Sequence, residues 1–290
     1  MIKNKSILTL SIGIMLVFFS AAVSYSYAQN SPADRVEVPL SNPSKPAFVE
    51  ARVHMGAITV TGYNGKNVIV EAKAITKPVG KKEEDEDEDE KKKKEKAKGM
   101  FLVQNNRTGL TIVEENNKVI VKVTSFTRRV DLDIKVPFKT SLKLKGLNDG
   151  FIKVENVSGE LDVHHLNGPV TLKNVSGTVI AHTLNGEVKV LFDKINLDKP
   201  MSFSTLNGDI DVTFPKNAKF NLKMKSQQGE IYSDFKLNIQ PGPAPVKKPG
   251  KKKGKYMVKF DKTLYGLLNG GGEEVQFKTF NGNIYIRAKK

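Results

Sequence analysis

The chain has 290 residues, a net charge of +16 and no cysteine. That length allows one large or two ordinary domains with a sizeable core. Without cysteine there can be no disulfide, thiol nucleophile, thiolate metal site or lipid attached through an N-terminal cysteine, so packing alone must hold the fold.

Residues 1–28 read as a secretory signal. Lys3 and Lys5 begin it, an apolar run follows from Ile7 to Val23, and Ser26-Tyr27-Ala28 places small residues at positions −3 and −1 before Gln29. The protein is therefore expected to be exported, to the periplasm, the outer surface or beyond the cell. The alternative is an uncleaved N-terminal anchor, because the apolar run is nearly long enough to span a bilayer. That segment is the one membrane contact the sequence offers. Residues 29–46 are polar and proline-rich and read as a linker. A repeat domain is expected over 47–290.

Strand patterns begin at Phe48. Gly56-Ala57-Ile58-Thr59-Val60 places apolar residues at glycine+2 and glycine+4, Tyr63-Asn64-Gly65-Lys66 reads as a turn, and Val68–Ala72 as the next strand. Residues 80–99 interrupt the pattern. Eight consecutive acids, Glu83 to Glu90, precede Lys91 to Lys94, a block that cannot bury apolar surface and reads as a solvated insertion. The EF-hand spacing and its central glycine are missing, which argues against calcium. Strands resume at Phe101, and Val130 to Val136 alternates cleanly until Pro137 stops it.

From Leu147 to Val190 the pattern is regular. Gly150, Gly159, Gly168, Gly177 and Gly186 recur at every ninth position. Residues at glycine+2 and glycine+4 are small or branched and apolar (Ile152 and Val154, Leu161 and Val163, Val170 and Leu172), the alternation of a strand with one buried face. Leu-Asn-Gly, ending at Gly168 and Gly186, alternates with Val-Ser-Gly, ending at Gly159 and Gly177, so the full period is two such units. A fixed period of that size predicts an all-β solenoid with coils of about 18–22 residues, in which each coil buries its apolar face on the next. Asn-Gly also suits antiparallel hairpins, but a meander gives no reason to repeat one tripeptide in every second turn. Glycine+7 is expected to supply a third inward residue per arm, and glycine the positive φ of each corner.

Beyond Gly186 the spacing loosens. The next glycines of the pattern are Gly208 and Gly229, which larger coils or small insertions would explain. Gln240 to Tyr256 forms a second insertion, with four prolines, six lysines and no acid, and reads as an extended cationic loop. Phe280-Asn281-Gly282-Asn283-Ile284 closes the chain with the repeat motif.

The segments 55–72, 130–137, 156–186 and 270–287 together resemble a bacterial family of putative adhesins built from glycine-centred β-strand repeats, a family of unknown function. The resemblance implies an exported, right-handed, single-stranded β-solenoid (β-helix). It carries over no catalytic or binding residue, and the two charged insertions depart from its usual pattern.

Candidate chemistry is sparse. His164 and His182 are one full period apart and should stack on successive coils, facing solvent. Glu187, Asp209, Asp211 and Glu230 fall at outward positions and could form the paired carboxylates of a polysaccharide lyase or hydrolase. The commoner role of such charges is solubility and edge protection. Asn167, Asn185 and Asn207 share a column that could form an amide ladder. No metal or cofactor site is legible. Nucleic acid is not an expected partner for an exported protein without interleaved basic and aromatic residues. Lys247, Lys248, Lys251, Lys252, Lys253 and Lys255 are the candidate binding residues, for an anionic envelope polysaccharide or another surface protein, the alternative being an inert spacer whose charge only aids solubility. The sequence thus predicts a non-enzymatic, adhesin-like binding or scaffold protein, with a polysaccharide-active enzyme as the alternative.

Overall fold

The computed structural model describes residues 33–75, 108–242, 247–249, 256–258 and 262–290. Every regular element among them is a strand, and twenty of the strands join in one sheet. The regular repeat produces β9 (Ile152–Glu155), β10 (Ser158–Asn167), β11 (Val170–Asn185) and β12 (Val188–Ile195). Alternate residues Ile152, Val154, Val163, Val170 and Leu172 are fully buried. The pairing is parallel, and partners lie one full period apart: Leu161 opposite Val179, His164 opposite His182, Asn167 opposite Asn185. One arm of each repeat adds to a ladder through β9, the first half of β11 and β12. The other adds to a second ladder through β8 (Thr140–Asn148), β10, the second half of β11 and β13 (Met201–Ser204).

The two inner faces share one apolar core. Toward the C-terminal end that core is aromatic. Phe192 of β12 stacks on Phe214 of β14 (Ile210–Phe214) at 5.3 Å between ring centroids, and Phe203 of β13 lies edge-on to both. Such geometry adds to the area each ring buries.

The third inward residue of each arm departs from the expected glycine+7. It sits there in the arms that end in Val-Ser-Gly, where Val157 and Val175 are buried. In the arms that end in Leu-Asn-Gly it is one position earlier: His165, Thr183 and Thr205 are buried, whereas Leu166 and Leu206 are exposed. The cause is local. Asn156 and Asn174 have φ of 59° and 52°, which breaks the alternation and turns the following valine inward. Asparagine tolerates that region better than most residues with a Cβ. β10 runs unbroken to Asn167, so strict alternation carries inward from Leu161 to Val163 to His165.

Glycine at the corners answers to close approach as much as to φ. Gly177 has φ of 111°, but Gly150 has no positive φ. A Cβ on either would lie 2.2 Å from a carbonyl oxygen of the neighbouring coil, that of Gly159 or Gly56 respectively. Coils stack backbone on backbone at these corners.

Spatial order does not follow chain order at either end. β21 (Glu274–Thr279) and β22 (Ile284–Ala288), the last strands, lie between β13–β14 and the pair β15 (Phe220–Ser226) and β16 (Ile231–Ser233). Gly229 therefore stacks on Gly282, not on Gly208. Its looser spacing reflects this insertion and not a larger coil. The N-terminal end mirrors it. β2 (Ala47–Met55) and β3 (Ile58–Tyr63) lie between β8–β9 and the pair β6 (Lys118–Val123) and β7 (Arg129–Pro137).

Antiparallel strands close both ends. β4 (Asn67–Ile75) pairs with β7, β5 (Leu110–Glu115) with β6, and β20 (Leu264–Leu268) with β15. Residues 34–39, within the stretch expected to be linker, form β1 (Asp34–Pro39) on the outside of β4. β17 (Asn238–Gln240) pairs with β20. β18 (Lys247–Pro249), within the second insertion, pairs antiparallel with β19 (Tyr256–Val258), which starts at that insertion's last residue. The acidic block of the first insertion lies outside the described residues.

Candidate functional site

The Val-Ser-Gly corners open onto a groove of about 570 Å³. Gly159 and Gly177 form part of its floor, because no side chain can stand where their coils touch. Ser141, Ser158, Ser176 and Thr178 line it with hydroxyls, and Lys139, Lys194 and Lys199 bring amines to it. Several groups are already fixed. Ser141 Oγ accepts the Glu160 amide at 3.1 Å, Thr178 Oγ1 donates to the Asn196 carbonyl at 3.2 Å, and Lys199 Nζ donates to Glu160 Oε1 at 2.5 Å. Of the lining carboxylates, Glu160 is thus neutralised by Lys199, and Asp198 is the other. The groove offers hydrogen-bond donors and acceptors to a polyol or an anion. It pairs no histidine with a nucleophile. Nothing in the sequence marked it beyond the two Val-Ser-Gly tripeptides, since Lys139, Lys194 and Lys199 come from separate loops and strand ends.

Of the outward carboxylates expected as a possible catalytic set, Asp209 and Asp211 are occupied by structural bonds, whereas Glu187 and Glu230 are held through their backbone. Asp209 Oδ1 accepts the Asn283 amide at 2.7 Å. Asp211, only 9% exposed, accepts Arg287 Nε at 2.7 Å. That hydrogen bond and charge hold the Arg287 guanidinium above its usual range. The Glu230 amide is bonded by Asn283 Oδ1 at 2.9 Å, and Glu187 receives the Val170 amide on its backbone carbonyl at 2.9 Å.

His164 and His182 stack as expected, with ring centroids 5.8 Å apart. His164 Nε2 lies 2.6 Å from Asp162 Oδ1 on its own strand, and His182 Nδ1 lies 2.8 Å from Ser204 Oγ on the next coil. Burial, then His164 and Lys278, hold His182 below the usual histidine value. No group of three or more metal-ligating side chains occurs among the described residues. The amide ladder is present and longer than expected: Asn148, Asn167, Asn185, Asn207 and Asn281 are linked by side-chain bonds of 2.7–2.8 Å. Sequence reasoning also passed over the buried column His165, Thr183, Thr205 and Thr279. In it each threonine donates to a corner-glycine carbonyl at 2.9–3.1 Å.

Of the six lysines expected to bind a partner, Lys247 and Lys248 lie in β18, opposite Val258 and Met257. Lys251, Lys252, Lys253 and Lys255 fall outside the described residues.

Residues 140–287 match the Toastrack DUF4097 family. The chain belongs to that family. The Toastrack DUF4097 match runs from the first residue of β8 into β22, and so includes the groove corners, the amide ladder and both histidines. No curated protein matches the chain in sequence. Among solved structures, it is similar to a putative cell adhesion protein from Clostridium sporogenes, at 13% identity and a TM-score of 0.42, over 89% of this chain and 100% of that one. It is also similar to a putative adhesin from Bacteroides fragilis, at 9% identity and a TM-score of 0.35, over 89% and 98% of the two chains. Likeness at that level assigns no activity or partner.

Proposed function

We propose that this Toastrack DUF4097 protein is a non-catalytic, exported binding scaffold of the cell envelope or surface, and that its partner is an anionic polymer. On this reading the stack is a right-handed β-solenoid, with rungs one sequence period apart in its regular part and a slightly longer coil at the Asn185–Asn207 step. The observation that carries the reading is the state of two of its four outward acids. Asp209 and Asp211 satisfy a backbone amide and a guanidinium, so they hold the stack together and are not available for acid–base work. A glycosidase needs two carboxyls facing a common bond, one of them free to carry a proton. The exposed surface instead offers lysines and hydroxyls, which suit recognition.

Export rests on the N-terminal segment, and the lysines from Lys247 to Lys255 form one candidate contact. The test uses the exported chain, whose N-terminus is expected at Gln29. It is applied to purified envelope polysaccharide alongside a variant with all six lysines changed to serine. The reading expects the wild-type chain to be retained at low salt and released as salt rises. Passage of the wild-type chain without retention at low salt would overturn it.

A further inference from the structure

One outward column of the second ladder collects cations from distant parts of the chain. Lys122 pairs with Arg52, Arg52 with Lys145, and His164 with Lys145 and His182. His182 then pairs with Ser204 and Ser204 with Lys278. Lys122, Arg52, Lys145 and Lys278 are exposed and form no ion pair among the described residues, unlike Lys118, Lys153 and Lys199 elsewhere on the surface. Neighbouring strands are about 4.8 Å apart, so the six steps from Lys122 to Lys278 span roughly 29 Å in a near-straight line.

We infer that this column is a binding track for a single chain of acidic polysaccharide lying along the stacking axis. The inference rests on the anionic-polymer reading above and assigns it a place on the molecule. Four cations and two imidazoles in single file match a partner whose charges also lie in single file. The column is flanked on one side by exposed Leu166, Leu206 and Phe280, an apolar wall for the C–H faces of sugar rings. On the other side Glu50, Lys143 and Asp162 alternate in sign. That alternation keeps the positive field narrow and disfavours a broad anionic plane such as a membrane. Duplex nucleic acid carries one charge per ~1.7 Å on two backbones and would leave most of its charges unmatched.

The probes are oligogalacturonates of increasing length, with neutral dextran, duplex DNA and anionic lipid vesicles as comparisons. Affinity should rise with oligomer length and level off once the oligomer spans the track. Changing Arg52, Lys145 and Lys278 to Glu should abolish oligogalacturonate binding. Changing the same three to Gln should weaken it and reduce the slope of log affinity against log salt by roughly three, about one per lost contact. All three side chains are exposed, so the Gln variant should keep the wild-type unfolding midpoint. If the Gln and Glu variants bind as the wild type does while the six-serine variant does not, the track is wrong and the polymer reading stands on the loop. If the wild-type chain binds none of the polyanions, both fall. Tighter binding of DNA or of vesicles than of oligogalacturonate also overturns the track.

Discussion

Nδ2 of Asn185 donates to Oδ1 of Asn167 at 2.7 Å, and Oδ1 of Asn185 accepts from Nδ2 of Asn207 at the same distance. Each amide in the ladder is donor to one coil and acceptor from the next, so chain segments that share no covalent neighbour are tied at a corner. A net intramolecular hydrogen bond is worth about 0.5–1.5 kcal/mol, less where water competes. Asn185→Ala removes two such bonds and should lower stability by about 1–2 kcal/mol in denaturant titration. An unchanged midpoint would mean that water replaces both bonds without loss.

The corner glycines separate two effects that sequence cannot tell apart. Gly270 has φ of 97° and, among the described residues, nothing within 4 Å of an added Cβ. Gly150 lacks positive φ, but its added Cβ would lie 2.2 Å from the Gly56 carbonyl oxygen. Gly177 has both constraints, with φ of 111° and the Gly159 oxygen 2.2 Å away. Gly270→Ala should therefore cost about 1–2 kcal/mol from backbone strain alone. Gly150→Ala should cost about 1–3 kcal/mol from overpacking. Gly177→Ala should cost about the sum of the two. If Gly270→Ala proved as damaging as Gly177→Ala, close approach would not be the reason for glycine at these corners.

The ninefold glycine spacing and the alternation within it made the regular coils, the parallel register, the histidine stack and the amide column readable from sequence. The ends were not readable. β21 enters the stack between β13 and β15 and β22 between β14 and β16, and no local pattern records which coil a strand will join. The misplacement of Leu166 has a plain cause. One residue of parity decides which side chain turns inward, and it depended on whether an asparagine with positive φ broke the strand. The cationic column escaped notice for the first reason: Arg52, Lys122, Lys145 and Lys278 become neighbours only through the stacking order.

His165 occupies the place of a threonine in the buried column. It is 3% exposed, and neither ring nitrogen has a hydrogen-bond partner among the described residues. Its ring fills the space above Gly146, where an added Cβ would lie 2.8 Å from the imidazole. Burial holds its folded-state value below 6.5. As pH falls through the unfolded value of about 6.5, the unfolded chain takes the proton first, so stability drops; above that pH the contribution is complete. His182 shifts in the same direction. The unfolding midpoint should fall between about pH 8 and pH 5, and His165→Thr should reduce that fall. An identical pH profile for the variant would remove His165 as a cause.

The central claim is that this chain holds an anionic polymer without acting on it. The most direct measurement loads the chain from Gln29 onward with oligogalacturonate at low salt, elutes across a salt series and determines the length of the recovered polymer. Attraction between exposed charges should weaken as the Debye length shrinks from ~10 Å at 0.1 M to ~3 Å at 1 M. Steep release over that range, with polymer of its starting length, is the expected result. Retention that ignores salt, or shortened chains in the eluate, would contradict the claim.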